Sequence, residues 1–154
     1  MTSAWAVDNS WVGTEPLLSF EMETDGSEDV TETDLEALQV SGLDIEIACA
    51  CVITDNNTVG LGSSGEKLFG GIKAVSRELD SNDIPKRCSV AARGLVPFLY
   101  AGTAPVVNGM VEVLGTGKVQ KAAADADIAA GGHLMRGQVV ALDTTNTIAY
   151  VWLG

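Results

Sequence analysis

Short apolar runs alternate with turn-forming residues from Asp44 to the end of the chain. The segments "EIACACVIT", "TVGLG" and "KLFGGIKAVS" are separated by Asp55–Asn57 and by Ser63–Gly65. Turn signals of this kind recur about every 8–12 residues, which is typical of a small sandwich or barrel rather than a βαβ array. The pattern predicts a mainly β fold of seven or eight short strands, either a small β-barrel or a β-sandwich.

Two hairpins are predicted near the C-terminus. "GMVEVL" and "KVQKA" flank Gly115–Gly117, and "LMRGQVVALD" and "TIAYVWLG" flank Thr144–Asn146. The polar segment "RELDSNDIPKR" is predicted to be a loop. Five aromatic residues lie inside strand-like runs and are expected in the core: Phe69, Phe98, Tyr100, Tyr150 and Trp152.

Residues 1–40 are predicted to form an acidic N-terminal arm with a short helix, followed by a β-domain over residues 41–154. In the helix, Thr33 and Glu36 match a capping box and Gly42 ends the segment. Residues 1–30 show no sustained period of 3.6 or 2. Two interpretations stay open for them: a disordered acidic tail, or an arm that becomes ordered against a partner. Disordered tails are poor in aromatic residues, which favours the second. Its apolar side chains are candidate interaction residues: Trp5, Trp11, Pro16, Leu17, Leu18 and Phe20.

Charge is distributed very unevenly along the 154 residues, whose formal net charge is −12. Fourteen acidic residues precede the first basic residue, Lys67, and the remainder holds all nine Lys and Arg. An acidic front half is repelled by phosphate backbones and by anionic lipid, so neither nucleic acid nor membrane is expected as a partner. The N-terminus has no basic region followed by a long apolar run, so the protein is expected to be made in a cytosol.

The hexapeptide GLGSSG, Gly60–Gly65, matches the dinucleotide-binding pattern G-x-G-x-x-G. That fingerprint works at the start of a long helix. Here Gly70 and Gly71 fall about one turn later, and each costs about 1 kcal/mol in a helix relative to Ala. The glycines are therefore interpreted as turn residues, and no cofactor is predicted.

Other candidate chemistry is equally incomplete. Gly115–Lys118 lacks the first glycine of a phosphate loop and is followed by Val119. His133 has no nucleophile motif beside it, and Asp125 with Asp127 lacks the glycine and distal Glu of a calcium loop. Three cysteines, Cys49, Cys51 and Cys88, lack zinc-site spacing, and the first two are expected as small buried residues on one face of a strand. No catalytic, cofactor-binding or metal-binding residues are predicted, and the chain is not expected to be an enzyme.

The segment "EKLFGGIKAVSRELDSNDIPKRCSVAARGLVPFLYAG" resembles a unit of bacteriophage capsid decoration proteins, also called cement or head-stabilising proteins. A strand with a glycine pair leads to a polar loop and then to a V-x-x-x-G-x-V-P strand, here Val90–Pro97. The ending "LMRGQVVALDTTNTIAYVWLG" is similar too, and the resemblance covers roughly residues 44–154.

This resemblance implies a small β-barrel on the exterior of an expanded capsid. It implies binding that bridges neighbouring major capsid subunits, as a homotrimer, and stabilises the head against internal DNA pressure. The expected location is the virion after synthesis in the host cytoplasm. Two alternatives remain: another virion β-protein of the tail or head fibre, and a non-catalytic ligand- or carbohydrate-binding β-module, which would carry exposed aromatic residues.

Overall fold

The computed structural model describes residues 17–123 and 136–154. It is mainly β, as predicted, with one short helix among the described residues. In chain order the elements are β1 (Leu17–Met22), α1 (Glu32–Ala37), β2 (Cys49–Asp55), β3 (Thr58–Gly60), β4 (Gly70–Val75), β5 (Arg87–Ala91), β6 (Gly94–Leu99), β7 (Val111–Val113), β8 (Val119–Lys121), β9 (Gln138–Asp143) and β10 (Ile148–Leu153).

Five strands form a closed barrel in the order β1-β3-β2-β4-β5, which decides between the barrel and the sandwich. β1 closes it by pairing antiparallel with β5 and parallel with β3. Closure leaves these strands without the unpaired edges through which open sheets aggregate. The β2–β3 turn contains Asn57 at φ +53°, a left-handed conformation that Asn tolerates better than most residues.

The remaining strands form a second layer. A three-stranded sheet has the order β6-β10-β9, and β7 with β8 forms a separate hairpin. Both predicted C-terminal hairpins, β7–β8 and β9–β10, are confirmed. The sheet meets the barrel where the Ala48 amide donates to the Pro97 carbonyl at 3.0 Å.

Two hydrophobic clusters follow from this layering. The first, here named the barrel core, includes Met22, Cys49, Cys51, Ile72 and Val90 of the closed sheet. It extends to residues of the three-stranded sheet, which are Leu95, Ile148 and Tyr150. The second, the interlayer core, lies where the outer side of the barrel meets the sheet and the β7–β8 hairpin. Its members are Ala48, Ala50, Val52, Leu68, Ala91, Val96, Phe98, Val111, Val113, Val119, Val139, Ala149, Val151 and Leu153.

The glycine pair at the start of β4 serves this packing. A Cβ on Gly71 would lie 2.5 Å from the Ala48 Cβ and 2.9 Å from the Phe98 ring. One on Gly70 would lie 2.6 Å from the Ala91 carbonyl oxygen. The missing side chains thus let the Phe98 ring lie directly against the β4 backbone.

The helix begins two residues earlier than the sequence pattern suggested. Thr31, not Thr33, is the N-cap: its hydroxyl accepts from the Asp34 amide, and the Asp34 carboxylate accepts from the Thr31 amide at 2.8 Å. Asp thus replaces the Glu or Gln usual at the third position of the motif. The helix ends at a C-cap on Leu38, before the predicted stop at Gly42.

Leu17–Met22 lies within the range predicted as the arm, yet it is a full barrel strand. Five of its residues pair with β5, from Leu17 opposite Ala91 to Glu21 opposite Arg87. The Arg87 guanidinium adds a hydrogen bond to the Ser19 hydroxyl at 3.1 Å. The barrel therefore extends back at least to Leu17.

Candidate interaction surfaces and the barrel-mouth cleft

The predicted arm residues divide at the start of β1. Trp5, Trp11 and Pro16 lie outside the described residues, whereas Leu17, Leu18 and Phe20 lie on β1. Leu17 is 53% exposed and Leu18 is exposed too, although they occupy opposite faces of a strand. The apolar surface predicted for the arm thus continues onto the first residues of the barrel.

Phe20 instead packs against the barrel core. Its ring meets the Phe69 ring edge to face, with centroids 5.3 Å apart and an interplanar angle of 81°. Aromatic pairs of this geometry contribute about 0.5–1.5 kcal/mol beyond burial of their area. Phe20 is therefore a packing residue that joins β1 to the segment before β4.

Phe69 borders a cleft of about 510 Å³, here named the barrel-mouth cleft. Its other lining residues are Val52, Ile53, Glu66, Lys67, Leu68 and Arg136. The volume falls within the range of about 300–1,000 Å³ typical of small-molecule sites. The cleft combines apolar side chains with two cationic residues and one acidic residue, and the sequence pattern did not indicate it.

Arg136 holds one wall of this cleft. Its Nη1 donates to the Phe69 carbonyl at 2.7 Å, its Nη2 donates to the Ala92 carbonyl, and its guanidinium carbon lies 5.7 Å from the Phe69 ring centroid. Partial burial, and then the nearby Arg93 charge, lower the pKa of Arg136. Its bonds to two backbone carbonyls show that it joins the segment before β4 to the end of β5.

A second surface lies on the outer side of the three-stranded sheet. Trp152 is opposite Leu95 on one neighbouring strand and Gln138 on the other, and Gln138 is bridged to Met110. Directly paired residues project to the same side of a sheet, so the four side chains form one transverse row, here named the outer row. It carries no charge, and the exposed Val140 lies beside it.

The expectation that Trp152 belongs to the core is wrong: it is 43% exposed. Alternation places Ala149, Val151 and Leu153 in the interlayer core, so Trp152 must face the other way. Tyr150 shares that face but is buried in the barrel core. Because the run IAYVWL is apolar at every position, it gives no sign of which residue is exposed.

Three backbone amides of the GLGSSG segment donate hydrogen bonds to other groups of the protein. Leu61 donates to the Glu28 carbonyl at 2.8 Å, Gly65 donates to the Val113 carbonyl at 3.0 Å, and the Ser63 amide donates to the Glu66 carboxylate. Gly62 has φ +70°, and the chain continues into β4 rather than a helix. Gly62 and Gly65, both at positive φ, lie in the connection between β3 and β4 as interpreted, whereas Gly60 is the last residue of β3, opposite Val52.

The other candidate groups are also accounted for. Cys49 and Cys51 are buried together in the barrel core, as predicted, and all three thiols are free. Burial raises the pKa of Cys49 to about 12 and that of Cys88 to about 11.

Within residues 17–123 and 136–154, no group of three or more His, Cys, Asp or Glu could hold a metal ion. His133, Asp125 and Asp127 lie outside the described residues.

No family model matches the chain, and no curated protein matches it significantly. In the part of the chain that the structure describes, no helix has the length and apolar character needed to cross a bilayer.

Proposed function

We propose that this chain is a structural virion protein that binds the outside of an expanded bacteriophage capsid. It bridges neighbouring major capsid subunits, acts as a homotrimer, and stabilises the head against the pressure of packaged DNA. The proposal rests on the sequence resemblance described above and on the way the N-terminal segment joins the barrel.

The observation that carries the proposal is the attachment of that segment. Residues 1–16, with Trp5 and Trp11, continue directly into β1, which is paired along its length with β5. Because Pro16 is followed at once by Leu17 of β1, any contact that residues 1–16 make acts on the barrel through that strand. Aromatic anchors of this kind dominate the energetics of many interfaces.

The outer row supports a second contact. The exposed members of the outer row, Trp152, Met110 and Gln138, carry no charge on a protein with a net charge of −12, whereas Leu95 of the same row is buried. Copies of so acidic a protein repel each other, and that repulsion is smallest where the contact itself carries no charge. The exposed part of the outer row is therefore a candidate for the contact between copies in a trimer.

Truncation provides the test, and the structure sets its limit. Deletion of residues 1–30 would remove β1 and open the barrel, so the deletion must end at Pro16. We expect the chain lacking residues 1–16 to stay folded, with a cooperative thermal transition and the far-UV circular dichroism of a β protein, and to lose binding to purified expanded capsids of the source virus. Replacement of Trp5 and Trp11 by Ala in the full chain should weaken binding by about 30-fold or more for each anchor.

Leu79→Ala is a matched control, since Leu79 is an exposed apolar residue in the connection between β4 and β5. Quantitative mass spectrometry of virions gives the independent measurement. A copy number near that of the major capsid protein agrees with the proposal, a few copies per particle indicates a tail or vertex component, and absence from virions overturns both.

A non-catalytic ligand-binding module is a second candidate because Trp152 is an exposed aromatic residue on a sheet face. Sugar rings stack on such side chains, yet Trp152 has apolar Leu95 and Met110 in its row, and Gln138 is its one polar member. Trp152→Ala should abolish glycan binding under this alternative. Under the capsid proposal it should instead reduce trimer formation.

A further inference from the structure

The barrel-mouth cleft lies where the N-terminal segment leaves the barrel. β1 and β4 both pair antiparallel with β5, and Leu17 and Gly71 both lie opposite Ala91. The two strands therefore run parallel, and the residues that precede each of them leave the barrel at the same end. The residues that precede β4 are Glu66–Phe69, which line the cleft.

The separation is short compared with the length of chain available. Two strand spacings of about 4.8 Å and two residues of about 3.3 Å each place Phe69 about 12 Å from Leu17. Trp11 is six residues before Leu17, and six extended residues span about 20 Å. Trp11 can therefore reach the cleft without any rearrangement of the barrel.

The chemistry of the cleft suits this segment. Ile53 is 47% exposed, Phe69 offers an aromatic wall, and the lining carries two cations, Lys67 and Arg136, against one anion, the Glu66 carboxylate, which accepts a hydrogen bond from the Ser63 amide. Residues 1–16 contain Trp11 between two acids, Asp8 and Glu15, and no basic side chain. An indole needs apolar contact, and flanking carboxylates are attracted to the two cations. Lys67 is also the first basic residue of the chain.

We propose that the barrel-mouth cleft is a docking site for an aromatic side chain and that, in the free protein, Trp11 of the same chain occupies it. The short connection through Leu17 gives Trp11 a high effective concentration at the cleft, which an untethered peptide lacks. Docking would bury an apolar surface that is otherwise exposed in the free protein. This inference concerns the free chain and holds whatever partner the N-terminal segment has.

The test uses the full chain with Trp5→Phe and Trp152→Phe, which leaves Trp11 as the only tryptophan. We expect a blue-shifted emission maximum and acrylamide quenching several-fold weaker than that of free N-acetyl-tryptophanamide. Ile53→Asp, made in this background, should move the emission to that of a hydrated indole and raise the quenching constant to the free value.

Leu79→Asp is the matched control, because Leu79 is 45% exposed and does not line the cleft. It should leave the emission of Trp11 unchanged. Lys67→Glu provides a second cleft variant at an exposed position, in case Ile53→Asp disturbs β2, and it should weaken protection in a salt-dependent way. Far-UV circular dichroism checks that each variant is folded.

Three results would overturn the proposal. If acrylamide quenches Trp11 in the single-tryptophan chain as strongly as it quenches free N-acetyl-tryptophanamide, Trp11 is not docked. Protection that survives both cleft variants means that Trp11 is buried elsewhere. Protection that disappears on hundred-fold dilution means that the cleft is filled by the arm of another copy, since docking within one chain does not depend on concentration. Loss of protection in the cleft variants alone, at all concentrations, supports it.

Discussion

The two hydrophobic clusters of this protein are built from different side chains. The barrel core contains all three cysteines and the buried Tyr150, and the Phe20 and Phe69 rings pack against it. The interlayer core has no titratable side chain among its buried members and consists largely of Ala and Val around Phe98. The barrel core is therefore sensitive to ionisation, whereas the interlayer core is sensitive to shape.

The two clusters differ in composition because they fill spaces of different shape. A closed barrel surrounds its contents, so side chains of several sizes can meet inside it. The interlayer core lies between two sheets. The small residues Ala48 and Gly71 let these layers approach closely enough for the Phe98 ring, which belongs to the three-stranded sheet, to contact the barrel. Close packing of this kind leaves little room for a change of volume. Two substitutions and one change of pH test this difference between the two clusters.

Phe98→Ala should have the largest effect. Phe98 is fully buried, and its removal leaves a ring-sized cavity that the surrounding Ala and Val side chains cannot fill. We expect the free energy of unfolding to fall by about 3–5 kcal/mol, measured by urea denaturation. Phe98→Leu is the control, and because Leu fills much of the cavity it should recover more than half of the stability that Phe98→Ala loses. Equal stability of the Ala and Leu variants would show that the cavity collapses and that the interlayer core is not closely packed.

Gly71→Ala should cause the second-largest loss of stability. The added methyl group would meet Ala48 and the Phe98 ring, and overpacking of a core costs about 1–3 kcal/mol, here at the upper part of that range. Gly26→Ala is the control, since a Cβ there has nothing within 4 Å. Thermal unfolding should show a lower midpoint for Gly71→Ala alone. A neutral Gly71→Ala would contradict the close approach of the two layers.

Titration of the Cys49 thiol at alkaline pH should have the smallest of the three effects. Burial also raises the pKa of Cys51 and of Cys88, so these thiols add to the total loss of stability in the parent chain. Burial raises the pKa of Cys49 from 9.0 to about 12, so its contribution to stability is complete below pH 9 and is lost as the pH rises from 9 toward 12. At pH 10 this single thiol should cost about 1.4 kcal/mol of the free energy of unfolding.

The measurement is urea denaturation under reducing conditions at pH 8 and pH 10. Cys49→Ala should lose less stability between the two pH values than the parent chain does. Val59→Ala, a truncation in the same cluster, should keep the parent's pH dependence. An identical pH dependence in Cys49→Ala and the parent would show that this thiol does not titrate on unfolding as proposed.

The features predicted correctly from sequence are local ones. The β7–β8 and β9–β10 hairpins join neighbouring segments through short turns, so adjacent residues specify them. Closure of the barrel depends on β1 meeting β5 about seventy residues later, which no local pattern specifies. A signal for β1 was nevertheless present, because LLSFEM alternates: Leu18, Phe20 and Met22 share one face, while Ser19 and Glu21 share the other.

The barrel-mouth cleft could not be predicted for the same reason. Its residues come from β2, from the segment before β4 and from Arg136, which are distant in sequence. Arg136 follows no motif, and its role depends on the Phe69 and Ala92 carbonyls that the fold brings beside it. The predicted start of the helix was two residues too late. Thr31–Asp34 and Thr33–Glu36 both fit a capping pattern, and only the folded backbone distinguishes them.

The pairing of β1 with β5 also has a mechanical consequence. A pull on residues 1–16 along the strand direction loads the whole ladder from Leu17–Ala91 to Glu21–Arg87 in shear, so its hydrogen bonds share the force. A pull across the sheet would instead open them one at a time, as a zipper opens. The same barrel should therefore resist tension well along β1 and poorly across it, which makes the direction of loading as important as the strength of any single contact.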